Sequence, residues 1–197
     1  RLDEWLILLT NRPSGSNEVL DQFVRDLADS MILKGGVFLA TYSWMWFRED
    51  EERDDLRRTI VASLIAALIT VAIARFMQLG LPFHPRPLQA PPFGLNVPLG
   101  VDPHALSSWS SMPSDHAVLF FALCVPIWSW SRPLAVAALC WTAVVICLPR
   151  IYLGFHYPSD VIVGAIVGVV LMVVVRAAVL RTSLPGRIVR WGAVHPG

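Results

Sequence analysis

Three short polar motifs interrupt an otherwise apolar chain, and their side chains suit phosphate chemistry. Each motif lies where a long apolar run begins or ends. Ionisable side chains are expensive at such a depth in a membrane, and they mark functional sites by default. The motifs are Pro85-Arg86-Pro87, Pro113-Ser114-Asp115-His116, and Arg150-Ile-Tyr-Leu-Gly-Phe-His156-Tyr-Pro-Ser-Asp160.

Hydrolysis of a phosphate ester needs a nucleophile, a general acid, and donors that hold the phosphoryl oxygens. Arginine suits the last task because its planar fork binds phosphate bidentately. Histidine suits the first two, since its neutral ring has a basic nitrogen and its ordinary pKa lies near neutrality. His156 and Asp160 are four residues apart, so a close approach of the two side chains is expected if the turn starts a helix. Ser114, Asp115 and His116 open an apolar segment, whose first backbone amides offer an anion site.

The composition indicates an integral membrane protein. Of the 197 residues, 55% are hydrophobic and 16% are charged, against roughly 25% charged in soluble domains. We expect a single domain, residues 1–197. The net charge is +1, and no basic stripe is interleaved with aromatic residues, so no nucleic-acid partner is expected.

Five apolar segments predict an all-α fold, a polytopic membrane helix bundle of about five to six transmembrane helices. Several of the segments are shorter than the roughly 20 residues that cross a bilayer, so their polar ends would lie near one membrane face. The segments cover residues 31–47, 59–81, 117–130, 134–148 and 161–175.

Two further regions have predicted roles. In residues 1–30, Val19, Phe23, Val24 and Leu27 recur at helical spacing, which predicts an amphipathic helix on the membrane surface. Residues 82–113 are rich in proline, which excludes a regular helix and predicts an active-site loop.

Arginine distribution predicts the orientation of the bundle. The linker 48–58, the turn 131–133 and the tail after residue 180 carry most of the loop arginines. Five spans place these three regions on one side, which we assign to the cytoplasm. The N-terminal segment, the loop 82–113 and the turn 150–158 then share the extracytoplasmic face with all three motifs.

In order and approximate spacing, the motifs resemble the signature of the type 2 phosphatidic acid phosphatase superfamily. That signature comprises a lysine seven residues before an Arg-Pro, then Pro-Ser-Gly-His, then Ser-Arg-x5-His-x3-Asp. The version in this chain is most like the small bacterial undecaprenyl-diphosphate phosphatases. The resemblance extends over most of residues 75–176.

The resemblance implies a role for each matching residue. His156 would attack phosphorus to form a phosphohistidine, Asp160 would orient it, and His116 would protonate the leaving group. Arg86, Arg150 and Ser114, with nearby backbone amides, would bind the phosphoryl oxygens. Asp115, which lies between Ser114 and His116, is counted with this phosphate-binding set by its position. No metal and no other cofactor is implied.

The chain departs from the family pattern at three positions. Leu79 occupies the lysine position, Asp115 replaces the glycine, and Pro149 replaces the serine before Arg150. Arg75, one helical turn before Leu79, is a further candidate for phosphate binding or a snorkelling side chain. Asp115 would either repel substrate or hold an arginine.

The leading hypothesis is an integral membrane lipid phosphatase of the bacterial plasma membrane that hydrolyses undecaprenyl diphosphate for cell-wall synthesis. The alternatives are hydrolysis of phosphatidylglycerol phosphate or phosphatidic acid, lipid phosphotransfer with the same site, and a polyprenyl-phosphate transporter or inactive binding protein. His84 and His104 match no motif and are predicted to be plain loop residues. Gly164 and Gly168 predict close helix packing in the bundle, with homo-oligomerisation as the alternative.

Overall fold

The computed structural model describes residues 2–48, 53–92, 94–104 and 106–194, and the regular structure in these residues is helical throughout. The predicted all-α fold class is therefore confirmed. Two π-helical turns continue helices without a break: Ile32–Gly36 leads into α3, and Thr142–Cys147 joins α6 to α7. The helices are α1 (Leu2–Asn11), α2 (Glu18–Asp29), α3 (Val37–Phe47), α4 (Arg53–Gly80), α5 (Asp115–Trp130), α6 (Arg132–Trp141), α7 (Leu148–Tyr152), α8 (Pro158–Leu180) and α9 (Leu184–Val194).

Three helical stretches in the described part of the chain are long and apolar enough to cross a membrane. They are Arg53–Gly80 with 28 residues, Arg132–Tyr152 with 21 and Pro158–Leu180 with 23. Helix α5 is apolar but has only 16 residues. The predicted segment 31–47 is also helical, as the first π-helical turn followed by α3. The membrane class is supported, whereas the number of five to six spans stays a prediction.

Close packing of α5 against α8 depends on two glycines. A Cβ at Gly164 would lie 2.8 Å from the Ser114 carbonyl oxygen and 2.9 Å from the Ala117 Cβ, and a Cβ at Gly168 would collide with the Val118 carbonyl. Atoms at these distances overlap, so only glycine permits this separation of the helices. The glycine pair therefore serves packing within the bundle.

Four helix ends meet at one end of the bundle. The Gln78 side-chain amide, near the end of α4, donates to the Pro113 carbonyl before α5 at 2.6 Å. The Ser114 amide, which precedes α5, donates to the Asp160 carbonyl in the first turn of α8 at 3.1 Å. After α7, the Phe155 amide turns back to donate to the Arg150 carbonyl at 2.9 Å. The three polar motifs are thus brought to a common end.

The N-terminal helices and the proline-rich loop cover this end. Asp21 of α2 is fully buried and accepts hydrogen bonds from the Gly15 amide, the Leu99 amide and the Tyr152 hydroxyl. On the opposite face of α2, Val19 and Phe23 are exposed. The predicted amphipathic helix is therefore present, with buried polar contacts to the loop and an apolar face turned outward, as expected of an interfacial helix.

We predict that Gly168→Ala destabilises the bundle, because the added methyl overlaps the α5 backbone, which cannot rotate away. Overpacking costs about 1–3 kcal/mol, so the thermal unfolding midpoint in detergent should fall by several degrees. Gly186→Ala in α9 is the matched control, since a Cβ there meets no atom within 4 Å. Equal midpoints for the two variants would contradict the packing role of Gly168.

Candidate active site

His156 lies on a tight turn between α7 and α8. Gly154 forms this turn with φ +73°, a conformation that side chains with a Cβ rarely adopt. The Gly154 carbonyl accepts a hydrogen bond from the Leu88 amide at 3.1 Å, and a Cβ at Gly154 would lie 2.9 Å from the Leu88 side chain. The glycine therefore lets the loop that carries Arg86 dock against the His156 turn.

The contacts of His156 define its tautomer. Its Nδ1 lies 2.9 Å from the Ser111 carbonyl oxygen, which can only accept, so Nδ1 carries the proton. Its Nε2 lies 3.5 Å from an Arg86 guanidinium nitrogen, which can only donate. Because Nδ1 carries the proton and Nε2 faces a donor, the ring lone pair is on Nε2. Burial of the ring, which is 3% exposed, lowers the pKa of His156, and the Asp160 carboxylate offsets only part of this effect. The site therefore holds a neutral imidazole with a basic Nε2.

Asp160 is buried beside His156, in the close approach that their spacing predicts, but the two side chains are not directly hydrogen-bonded. Its Oδ2 accepts from the Tyr157 amide at 2.7 Å and lies 3.8 Å from His156 Nδ1, beyond hydrogen-bond distance. The Ser111 carbonyl takes that proton instead. Asp160 acts on His156 through its charge and by closing the first turn of α8.

His84 belongs to the same cluster, although sequence reasoning treated it as a plain loop residue. Its Nδ1 lies 2.8 Å from the Ser111 hydroxyl and 3.3 Å from Asp160 Oδ1. Its carbonyl accepts from the Ser111 amide at 2.9 Å. His84 therefore fixes Ser111, whose carbonyl orients His156. The one available signal was its position two residues before Arg86.

Two arginines lie near the His156 ring, Arg86 buried and Arg150 partly buried. Arg86 is 5% exposed, and one of its terminal nitrogens donates to the Phe155 carbonyl at 2.8 Å. Burial also lowers the pKa of Arg86. Arg150 donates to the Ala28 carbonyl at a longer 3.4 Å. The Nε atoms of Arg86 and Arg150 and the Ser114 hydroxyl are buried without a hydrogen-bond partner in the described residues. Asp160 Oδ1 is the one acceptor-only atom at this end of the bundle that is also without a hydrogen-bond partner among the described residues. The unpartnered donors outnumber it, as an anion site requires.

Arg75 and Asp115 form an ion pair at the rim of the site. An Arg75 nitrogen lies 3.0 Å from Asp115 Oδ2, and Gln78 donates to Asp115 Oδ1 at 2.8 Å. The Arg75 guanidinium carbon is 3.4 Å from the centre of the Trp109 ring. Of the two roles considered for Asp115, the structure shows the one in which it holds an arginine.

The predicted residues surround one cavity of about 210 Å³, which we call the phosphoryl cavity. Of the predicted residues, Ser114 and Asp160 do not line this cavity. Three guanidinium groups face one carboxylate here, so the cavity is suited to an anion the size of phosphate. Among the described residues, no three His, Cys, Asp or Glu side chains cluster to hold a metal ion. The wall includes Arg75, Arg86, Asp115, His116, Arg150 and His156.

Comparisons with known proteins show the family to which the chain belongs. The model of the PAP2 superfamily matches residues 81–183, about half of the chain, with all three motifs. The chain belongs to the PAP2 superfamily.

Two individual proteins are similar to the chain. The Escherichia coli (strain K12) protein named "Putative undecaprenyl-diphosphatase YbjG" is 29% identical over 132 residues, which cover 67% of this chain and 60% of that protein. The crystal structure of Aquifex aeolicus LpxE superposes with a TM-score of 0.58 at 20% identity, covering 89% of this chain and 94% of that one. The LpxE likeness supports the fold.

The tautomer of His156 can be tested without any substrate. In protein labelled with ¹⁵N-histidine, we predict an Nδ1–H resonance for His156 and an Nε2 shift typical of an unprotonated nitrogen. Because its pKa is lowered, the ring should remain mostly neutral at pH 6.5, where an ordinary histidine is half protonated. The folded state resists protonation, so His156 contributes fully to stability above pH 6.5, and this contribution is lost as the pH falls. An Nε2–H tautomer, assigned with the His156→Gln variant, would contradict the geometry.

Proposed function

We propose that the protein is a membrane phosphatase that hydrolyses undecaprenyl diphosphate to undecaprenyl phosphate through a phosphohistidine. The observation that carries the proposal is the neutral, buried Nε2 of His156 at a cavity with three arginines and a second histidine. Membership of the PAP2 superfamily and the name of the similar Escherichia coli protein, a putative undecaprenyl-diphosphatase, support the choice of reaction and substrate.

The first step transfers the terminal phosphoryl group to His156. Its Nε2 lone pair forms a bond to phosphorus while the bond to the bridging oxygen breaks. His116, in its protonated form, gives its proton to that oxygen as the leaving group departs. Arg86 and Arg150 hold the phosphoryl oxygens as charge moves onto them. Nδ1 keeps its proton throughout, and the Ser111 carbonyl and the Asp160 charge stabilise the ring once it carries phosphate.

The second step releases phosphate. Water attacks phosphorus, His116 takes the proton of that water, and the bond between phosphorus and Nε2 breaks. The product is inorganic phosphate, and both histidines return to their starting states. The groups that contact the substrate in both steps are side chains that line the phosphoryl cavity, whereas Ser111 and Asp160 act through His156.

We assign the protein to the bacterial plasma membrane, with the active site on the extracytoplasmic face. The loop arginines at the opposite end of the bundle support this orientation. The exposed Val19 and Phe23 of α2 support a lipid surface beside the site.

The decisive experiment measures phosphate release by the purified protein in detergent with EDTA present. Undecaprenyl diphosphate, phosphatidylglycerol phosphate and phosphatidic acid are compared at equal concentration. We expect the diphosphate to be preferred, and His156→Ala to lose roughly a thousandfold or more in kcat/KM, as for other residues that act as nucleophiles. Preference for a glycerophospholipid would be consistent with the proposed mechanism but would contradict the proposed substrate. No release from any of the three would contradict hydrolysis and favour phosphotransfer or an inactive site.

Arg75 provides a separate prediction. If it supplies the cationic group that the family places at position 79, Arg75→Ala should reduce kcat/KM by about tenfold to a hundredfold, the worth of a hydrogen bond to a charged group. Arg132→Ala, an exposed arginine at the opposite end of the bundle, is the matched control. An Arg75→Ala variant as active as this control would show that Arg75 only anchors the helix.

A further inference from the structure

The chain contains a single lysine, and it is buried in a helix that sequence analysis treated as an apolar span. Lys34 is 7% exposed, whereas the other fifteen basic residues are all arginines. A buried cation in a membrane segment is costly, and such residues face the bundle interior and mark binding sites. The PAP2 match begins at residue 81, so Lys34 is outside the region that carries the family motifs.

Lys34 shares its hydrogen-bond acceptor with Arg150. The Lys34 ammonium donates to the Ala28 carbonyl at 2.7 Å, and an Arg150 nitrogen donates to the same oxygen at 3.4 Å. The two nitrogens cannot be farther apart than these distances added together, about 6 Å. Two cations this close in a largely buried site repel each other. The Asp29 carboxylate attracts both of them, so the three groups together carry one net positive charge that the shared carbonyl does not balance. An anion between or beside them would.

Lys34 lines a second, apolar cavity that adjoins the phosphoryl cavity. This apolar cavity has a volume of about 270 Å³ and is lined by Lys34 and by Met31, Val71, Leu119 and Phe120. It shares Asp115 and His116 with the phosphoryl cavity. A substrate held across His116 would therefore have its reacting phosphate among the arginines and the remainder of the molecule beside Lys34.

We propose that Lys34 binds the phosphate that remains attached to the lipid and thereby selects diphosphates over monophosphates. This inference rests on the proposed function, since it places the leaving group of that reaction. As Nε2 of His156 bonds to the terminal phosphorus, the electrons of the broken bond move to the bridging oxygen. His116 protonates this oxygen, and the ammonium of Lys34 neutralises the other oxygens of the departing lipid monophosphate. When a lipid monophosphate is the substrate, the leaving group is the lipid alcohol. This alcohol carries no charge for Lys34 to bind.

Kinetics on matched substrates test the selectivity. Prenyl diphosphate and prenyl monophosphate of the same chain length are compared with the Lys34→Met variant, which keeps the length of the side chain and removes its charge. We expect kcat/KM to fall by about tenfold to a hundredfold for the diphosphate, the worth of a charged hydrogen bond, and by much less for the monophosphate. Lys34→Arg should recover most of the loss. Equal losses on both substrates would overturn the proposal, because a lysine that only ties Ala28 in place would affect both alike.

A binding measurement keeps this inference separate from the proposed function. Protein labelled with ¹³C-lysine has one lysine side-chain signal, so Lys34 reports without assignment. Methylenediphosphonate, which cannot be hydrolysed at its bridge, should shift this signal at saturation, whereas inorganic phosphate should shift it much less. If the wild-type protein hydrolyses no lipid phosphate and this shift is still seen, the proposed function fails and the Lys34 site stands. If the protein hydrolyses undecaprenyl diphosphate and methylenediphosphonate leaves the signal unmoved, the function stands and the Lys34 site fails.

Discussion

The contact between the first turns of α5 and α8 positions the whole candidate site. The Ser114 amide donates to the Asp160 carbonyl across this contact, and Gly164 leaves the space for it, because any side chain there would overlap Ser114 and Ala117. His116 is two residues beyond Ser114, and His156 is four residues before Asp160. His116 and His156, which are forty residues apart in the chain, are therefore brought together by one backbone hydrogen bond and by the absence of a side chain at Gly164.

Around these histidines the bundle concentrates positive charge in a place that water reaches poorly. Arg86 is buried and Arg150 partly buried, and the Nε of each has no hydrogen-bond partner among the described residues. Lys34 shares one carbonyl with Arg150. Such an arrangement is costly for folding. The same arrangement favours binding of an anion, because the interactions of an anion with fixed cations in a poorly hydrated cavity are stronger than they would be in water. The neutral His156 adds a nucleophile without adding a further positive charge.

Side chains at the ends of apolar segments were predictable from the sequence. Arg86, His116, Arg150 and His156 each lie at such an end, and helix ends at one level of a bundle must meet, so their convergence on one cavity follows from segment length and order. The role of Asp115 was not predictable, because its pairing with Arg75 depends on the register of α4 against α5. The Ser111 carbonyl was also beyond sequence reasoning, since a backbone oxygen in an irregular loop has no side-chain pattern. Lys34 was overlooked for a different reason. It lies inside a hydrophobic run, where a hydropathy averaged over many residues conceals one charge. The sequence did show, however, that Lys34 is the only lysine of the chain.

The most direct test of the account is to trap the covalent intermediate and locate its phosphate. Protein mixed rapidly with prenyl diphosphate labelled in the terminal phosphate, then denatured in base, should carry a phosphate that is stable to alkali and labile to acid. Mass spectrometry should place it on His156, and comparison with the two phosphohistidine isomers should place it on Nε2, because Nδ1 holds a proton for the Ser111 carbonyl. A phosphate on Nδ1 of His156, or on any other residue, would contradict the mechanism. Turnover with direct transfer to water and no phosphoenzyme would contradict it as well.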